Sequence, residues 1–505
     1  MRYNLLLFCI ALLLPACLSG QNDDRRDYVW LFGGLPDFPG ATFKGTRIDF
    51  HVDPPEVSLF NGRYPFSAIS MISNPEGQLQ FSTNGCHILN RNHQIMENGS
   101  PLNEGPVFDG FCGTEGYPAA QPIICLPYPG HPEQYMVLHI RIQLGGANVW
   151  YKDVLRTVVD MSKNGGLGAV LERNIQLAQG DVGQNNFTHH ITATRHGNGR
   201  DWWIAMPTFY GKKTYLFLLT PKGVQGPYVR QNAQGLESWA AGQIGFSPDG
   251  SWFCEGLGKG IFRLSRFDRC SGVFYDQRLF DFQGETPSFV GVAFSPNSRF
   301  LYISRTLKIE QYDLLASDIQ ASRQTVAEHD GMGASFYQAM LAPNNKIYLT
   351  AGGLTKFLHV IHAPDSLGVA CRVMQHELEI MGKHSYSAPN FPYFRLYDLA
   401  GSACDTLGIN GPVSAAGEPG GQGPLDLRLS PVPASEVLSV EFGAGAAEGS
   451  WQVVDMSGRL LRSGQKAALD AALVLPVGDL PGGMYAFRFR STDGALAVRR
   501  FTVIR

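Results

Sequence analysis

Through the middle of the chain, apolar and polar positions alternate in short runs, and each run ends in a cluster of Pro, Asn, Asp or Gly. This is the pattern of half-buried strands joined by tight turns. One unit recurs most clearly in Ile244-Gly245-Phe246-Ser247-Pro248-Asp249-Gly250, Val292-Ala293-Phe294-Ser295-Pro296-Asn297-Ser298 and Ala339-Met340-Leu341-Ala342-Pro343-Asn344-Asn345. Each is followed by an apolar or aromatic strand: Ser251-Trp252-Phe253, Phe300-Leu301-Tyr302-Ile303 or Ile347-Tyr348-Leu349. The three prolines are spaced by 48 and 47 residues, the length of a four-stranded propeller blade. Pro presets the first turn position, and Asp, Asn or Gly accepts the next. Weaker copies stand at Ser73–Gly77, Pro127–Gly130 and Arg195–Gly199.

Six such units predict an all-β protein with a six- or seven-bladed β-propeller, seven being preferred. For the seventh blade, Tyr28–Phe32 reads as a second strand without a first, and His384–Pro392 as a first without a second. Their pairing is expected to close the ring and remove its open edges.

Outside this region the pattern changes. Residues 1–20 carry Arg2, an apolar run from Leu5 to Leu14 and then small residues, the layout of a signal peptide. Its apolar run is shorter than the roughly 20 residues a membrane-spanning helix needs. Leu14-Pro15-Ala16-Cys17 also offers Cys17 as a lipidation site. Residues 409–423, dominated by Gly, Pro, Ala and Ser, read as a flexible linker. Beyond them, residues 424–505 alternate in short runs broken by Ser457-Gly458, Pro481-Gly482-Gly483 and Asp493-Gly494, which predicts an Ig-like β-sandwich. The expected division is therefore 1–20 signal peptide, 24–408 propeller, 409–423 linker and 424–505 sandwich.

Composition narrows the functional classes. Lys+Arg number 41 against 44 Asp+Glu, a formal charge of −3, so no global basic field favours nucleic acid as a partner. Charged residues make up 17% and aromatics 11%, with 58 Gly, which excludes a coiled coil and a disordered chain. Beyond the leader stand seven cysteines: Cys86, Cys112, Cys125, Cys254, Cys270, Cys371 and Cys404. In an exported chain they suit a few disulfides, and their odd number leaves at least one free or intermolecular thiol. No CxxC pair suggests zinc.

The C-terminal segment resembles the type A sorting domain of proteins exported by the type IX secretion system of Gram-negative bacteria. Its residues are Leu429-Ser430-Pro431-Val432-Pro433-Ala434-Ser435, Val453-Val454-Asp455-Met456-Ser457-Gly458-Arg459, Leu480-Pro481-Gly482-Gly483-Met484-Tyr485, and the basic ending Arg499-Arg500-Phe501-Thr502-Val503-Ile504-Arg505. Val432 stands where that family usually has Asn. The resemblance singles out Pro431, Pro433, Ala434, Asp455, Ser457, Gly458, Leu480, Pro481, Gly483 and Tyr485. It implies the secretion machinery as partner, export to the cell surface or beyond, cleavage of the domain in many members, and attachment to surface lipopolysaccharide in some. The middle region is similar to propellers common among large type IX-exported surface proteins, on residues such as Trp30-Leu31-Phe32-Gly33, Val159–Gly168, Arg195–Trp203 and Ala388-Pro389-Asn390-Phe391. That likeness implies a WD-repeat-like ring and a surface address, with no agreed activity.

Candidate chemistry is sparse. His189, His190, His196 and Asp201 cluster in sequence, but neighbours on a strand point to opposite faces, so structural roles are expected. Ser247–Trp252 resembles the Asp-box of sialidase propellers yet lacks a residue on either side of Gly250. Carboxylates Glu172, Glu237, Asp268, Asp281 and Glu285 would serve glycoside hydrolysis only as a pair at a set separation in a cleft. No GxSxG, HExxH, P-loop or EF-hand pattern occurs, and no cofactor or metal is assigned. Gly-rich stretches at Leu144 and Asn164 read as loops. Phe111, Tyr117, Tyr128, Trp239 and Tyr386 are candidates to line a glycan- or peptide-binding face, although core or rim positions account for them as well. Asp365-Ser366-Leu367 and Asp405-Thr406-Leu407 resemble a bacterial O-glycosylation pattern. The expected function is non-catalytic binding or adhesion to an unidentified glycan or protein, with a glycan-active hydrolase or lyase as the alternative.

Overall fold

The computed structural model describes residues 24–33, 43–62, 69–113, 116–145, 148–180, 188, 190–233, 242–257, 260–281, 289–332, 335–352, 355–384, 387–407, 427–442, 448–455, 460–467, 472–492 and 496–504. The chain divides into two compact units, 1–411 and 412–505. The expected leader, including Cys17, and the expected linker lie outside the described residues.

The first unit is built of seven antiparallel sheets taken in chain order. Blade 1 comprises Val29–Gly33, Phe43–Asp49 and Glu56–Gly62; blade 2 comprises Ser70–Ser73, Leu79–Thr83 and Ile88–Asn90. Blade 3 has Ile123–Pro127, Gln134–Gly145, Asn148–Asp160 and Ala169–Gln179, and blade 4 has Thr192–Arg195, Trp202–Pro207, Lys213–Thr220 and Gly223–Gln231. Blade 5 runs Ile244–Phe246, Trp252–Gly256, Phe262–Asp268 and Val273–Phe280. Blade 6 runs Val290–Phe294, Phe300–Arg305, Lys308–Asp313 and Gln324–Glu328, and blade 7 runs Phe336–Leu341, Ile347–Ala351, Thr355–Ile361 and Val373–His384.

From blade 1 to blade 7 the first strand of each blade touches that of the next, with the contact between blades 3 and 4 a bridge of Gln121 to His190 just outside those strands. Blade 7 returns to blade 1, where Gly382 N–H donates to Thr46 Oγ1 at 3.1 Å. The ring is a seven-bladed β-propeller. All six turn units read from the sequence are the hairpins between the first and second strands of blades 2 to 7.

The turn chemistry is visible atom by atom. Ser247 Oγ donates to Asp249 Oδ1 at 2.5 Å and accepts from Trp252 N at 3.0 Å. Blade 6 repeats this with Ser295 Oγ to Asn297 Oδ1 at 2.7 Å and Phe300 N to Ser295 Oγ at 2.9 Å. The side chains thus supply hydrogen bonds the reversing backbone lacks. Blades pack face to face with little room to spare. A Cβ on Gly291 of blade 6 would sit 2.0 Å from the Tyr337 carbonyl oxygen of blade 7, so only glycine permits that approach.

Closure of the ring departs from the expected strand pairing. His384 ends the outer strand of blade 7, and Ser387–Pro392 form no ladder with Val29–Gly33 among the described residues. Pro389 and Pro392 remove two of the donors a ladder would use. The segment nevertheless reaches the gap between blades 7 and 2. Ala388 N donates to Gln338 Oε1 of blade 7 at 2.8 Å, and Ser70 Oγ of blade 2 donates to the Asn390 carbonyl at 3.4 Å. Phe391 stacks on Trp30 with ring centroids 6.3 Å apart.

The ends are then joined by charge. Arg395 grips buried Asp27 bidentately, Nη1 to Oδ1 at 2.7 Å and Nη2 to Oδ2 at 2.8 Å. Burial raises the Asp27 carboxyl above its ordinary value, and Arg395 opposes that shift. Arg195 Nη2 donates to the Phe394 carbonyl at 3.1 Å. The tail continues over blades 4 and 5, where Leu399 N donates to the Gly197 carbonyl and a Cys270–Cys404 disulfide staples it. Cys86–Cys112 is the second disulfide, and Cys125, Cys254 and Cys371 are free and buried.

The second unit is a sandwich of two antiparallel sheets. One is ordered Leu427–Ser430, Val437–Phe442, Ala472–Pro476, and the other Leu460–Lys466, Gly449–Asp455, Gly483–Ser491, Leu496–Val503. Leu438, Val440, Val453, Phe487, Phe489, Phe501 and Val503 form its core. Inward apolar residues alternate with outward polar ones, as sheets buried on one face require.

Candidate functional site

The axis of a propeller, where the innermost strands converge, is the first place to seek a site. Here it holds a cavity of about 70 Å³ lined by the innermost strands of blades 4 to 7 together with Asp27, Gln121, Gln243 and Asn390–Tyr393. That is room for a few waters, and far below the roughly 300 Å³ at which small-molecule pockets begin.

A network of buried amides fills the rest of the axis. Asn390 Nδ2 donates to the carbonyls of Ile123 and Ile191, at 2.7 and 2.8 Å. Its Oδ1 accepts from Gln121 Nε2 at 3.1 Å. Gln121 also donates to the Ile244 carbonyl and accepts from Ile244 N. Gln243 donates to the Ala339 carbonyl at 2.6 Å, and its oxygen accepts from Val292 N and Ala339 N. An amide carries both donor and acceptor, so one side chain can satisfy the exposed edges of several strands without introducing charge. Gln121, Gln243, Gln338 and Asn390 therefore tie the blades across the axis. Sequence reading missed the three glutamines; the available signal was an uncharged polar residue at or just before the first strand of alternate blades.

Among the residues lining the axial cavity, Asp27 is the one carboxylate, and Arg395 holds it. Glu172 is paired with Arg156 on the outer strand of blade 3, and Asp268 accepts from Cys270 N and Ser271 Oγ in a hairpin. Glu237 and Glu285 lie outside the described residues. Asp281 follows the outer strand of blade 5, at the opposite end of that hairpin from Asp268, so these described carboxylates are not brought together.

Other singled-out residues have local roles. His196 accepts at Nδ1 from Asn198 N, lies with Nε2 3.1 Å from the Cys270 carbonyl, and packs against Trp203. Asp201 accepts from Asn198 and Arg200. His190 is fully buried, and His189 is outside the described residues. Among the described residues, no three His, Cys, Asp or Glu side chains are grouped to hold a metal. Tyr117 is buried, its hydroxyl accepting from Ile142 N; Phe111 packs against the core of its unit, and Tyr128 packs on His131. Trp239 and Tyr386 are not among the described residues. Thr406 is exposed and Ser366 half-buried.

In the sandwich, the motif residues hold the sheets together. Pro431 and Pro433 each follow a cis peptide bond. Ala434 is buried, and its backbone exchanges hydrogen bonds with Thr502 and Ile504 of the closing strand. Asp455 pairs in register with Tyr485, whose hydroxyl donates to the Pro481 carbonyl at 2.6 Å. Leu480 enters the core, and Gly483 opens the strand that carries Tyr485. Ser457 and Gly458 lie outside the described residues.

No protein-family model and no curated protein matches the chain. Solved structures share its architecture distantly. A candidate 6-phosphogluconolactonase from Bacteroides uniformis aligns over 71% of this chain and 98% of its own, at 14% identity and a TM-score of 0.44. The extracellular domain of a hybrid two-component-system protein from B. thetaiotaomicron aligns over 95% of this chain at 11% identity and a TM-score of 0.38, and the chain spans 56% of its length. The Cps50 (Swd1) β-propeller domain of Myceliophteria thermophila aligns over 65% of this chain and 94% of its own, at 11% identity and a TM-score of 0.37.

Proposed function

We propose that this chain is an exported protein of the cell surface or surroundings that acts by binding, with the propeller as passenger and residues 424–505 as its type IX sorting domain. One observation carries the non-catalytic reading: the axis, the usual place for a propeller's reaction chemistry, is occupied by neutral amides and a proline-flanked plug apart from a cavity of about 70 Å³. The sorting reading rests on the motif from Pro431 to Tyr485 and the basic ending, in a unit that packs its own core. Attachment to surface lipopolysaccharide belongs to that reading. The rim and faces of the near-neutral ring are the surfaces on which an adhesive or surface-organising role would rest.

The test is made in the producing bacterium. Removal of residues 424–505 is expected to leave the propeller inside the outer membrane while the full chain reaches the surface or medium. Equal export of both forms would end the sorting proposal. Loss of attachment to host or matrix surfaces in a deletion strain is the expected sign of adhesion, and unchanged attachment would count against it.

A further inference from the structure

A second cavity of the ring lies at its rim. It measures about 540 Å³, within the roughly 300–1,000 Å³ span of small-molecule sites. The outer strand of blade 5 forms one wall through Gln277–Phe280, backed by Arg263 of the next strand; Asp318 and Gln320 of blade 6 form another.

Two of the polar groups, Arg263 and Gln277, are held by neighbours, and Arg278 is paired at the exposed surface. Arg263 is almost fully buried and is fixed by Glu255, Nη1 to Oε2 at 2.7 Å. Arg278 is paired with Asp276 through two hydrogen bonds of 3.2 and 2.9 Å. Gln277 is set by Asn232 and Ala233 of blade 4. In the described wall each guanidinium has a carboxylate beside it, Glu255 for Arg263 and Asp276 for Arg278, and Asp318 adds a further carboxylate. An anion entering here would meet that carboxylate and would compete with Asp276 for Arg278. A neutral molecule carrying many hydroxyls meets no such penalty, because each hydroxyl both donates and accepts and can bond guanidinium, amide and carboxylate in turn. Leu279, Phe280 and Ala233 offer carbon surface between the polar groups.

We infer that this rim cavity between blades 5 and 6 is a binding site for a neutral saccharide of one or two rings. The inference names a ligand class for the binding role proposed above and rests on it.

The test uses the full chain and isothermal titration with lactose, maltose and cellobiose as neutral probes, against glucuronate and inorganic phosphate. Saturable binding of at least one neutral sugar is expected, with glucuronate and phosphate weaker. Arg278→Ala and Gln320→Ala alter exposed side chains, so an unchanged melting temperature checks that the fold is kept. Each is expected to weaken sugar binding by about tenfold, the loss of one to two hydrogen bonds. No binding of any neutral probe, tighter binding of an anion, or full affinity in the double variant would overturn the inference. Sugar binding that persists in a protein whose deletion leaves adhesion intact would overturn the adhesive role and spare this site. Adhesion without sugar binding would do the reverse.

Discussion

Asn390 bonds two carbonyls and one amide from blades 3 and 4 while it sits in a segment with no ladder of its own. Pro389 and Pro392 lack backbone donors of their own, and the Asn390 side chain supplies two. Asn390→Ala is expected to leave two buried carbonyls short of a donor, at about 1–3 kcal/mol for each unsatisfied group. Chemical denaturation of the propeller should register a loss of about 3 kcal/mol, and a change below about 1 kcal/mol would mean that the axis is held elsewhere. The sequence showed Asn390 only as part of the string Ala388-Pro389-Asn390-Phe391; nothing local could say that its amide spans the axis, because its partners are 199 and 267 residues away.

At the scale of single strands, buried histidines give blades 3 and 7 a sensitivity to acid. His139, on the second strand of blade 3, lies between Asn103 Oδ1 at 2.7 Å and Thr157 Oγ1 at 3.0 Å. Burial, helped by Arg141, pushes its imidazole down to about 3. His359 of blade 7 is lowered to about 4, chiefly by burial and then by His376 and His329.

In the unfolded chain these rings take a proton near pH 6.5, whereas the folded chain refuses it until far lower pH. The unfolded state therefore binds more protons below pH 6.5, and stability falls as pH drops from about 6.5 toward 3 to 4. For His139 alone the loss is on the order of 3 kcal/mol by pH 4. Melting temperatures measured from pH 7.5 to 4 should fall, and His139→Gln should flatten the slope. An equal slope in that variant would place the acid sensitivity on other groups. The strands themselves were legible from alternation, and the hairpins from their Pro, Asp and Asn. The burial of His139 was not, because a lone histidine in an apolar run reads the same whether it faces core or solvent.

For the whole ring, stability depends on two ends that meet only after every blade is formed. Asp24–Phe50 supply Asp27, Trp30 and the strand that meets blade 7, so their removal takes away the Arg395 clasp, the Phe391 stack and a sheet edge together. Deletion of residues 24–50 is expected to abolish the cooperative melting transition of the propeller. A truncated protein that melts as sharply as the full chain would refute closure through the ends. The Cys270–Cys404 disulfide closes a loop of 134 residues and holds the plug's exit against blades 4 and 5, so the tail is part of the ring's fastening.

What the sequence determined by itself is what short-range chemistry specifies: strands from the period of two, six hairpins from turn residues that accept only certain backbone angles, the blade length from their spacing, and a separate C-terminal sandwich from the change of pattern after residue 423. Tertiary structure decided the rest. It chose a plug over a strand pair for closure, placed four amides on one axis, held Asp27 with Arg395, kept the described carboxylate candidates apart, and opened the larger cavity at the rim. Each of these depends on groups tens to hundreds of residues apart meeting when the ring closes. Local pattern carries no information about that meeting, because the energy of a buried hydrogen bond or ion pair is set by the partner that arrives and the water it excludes.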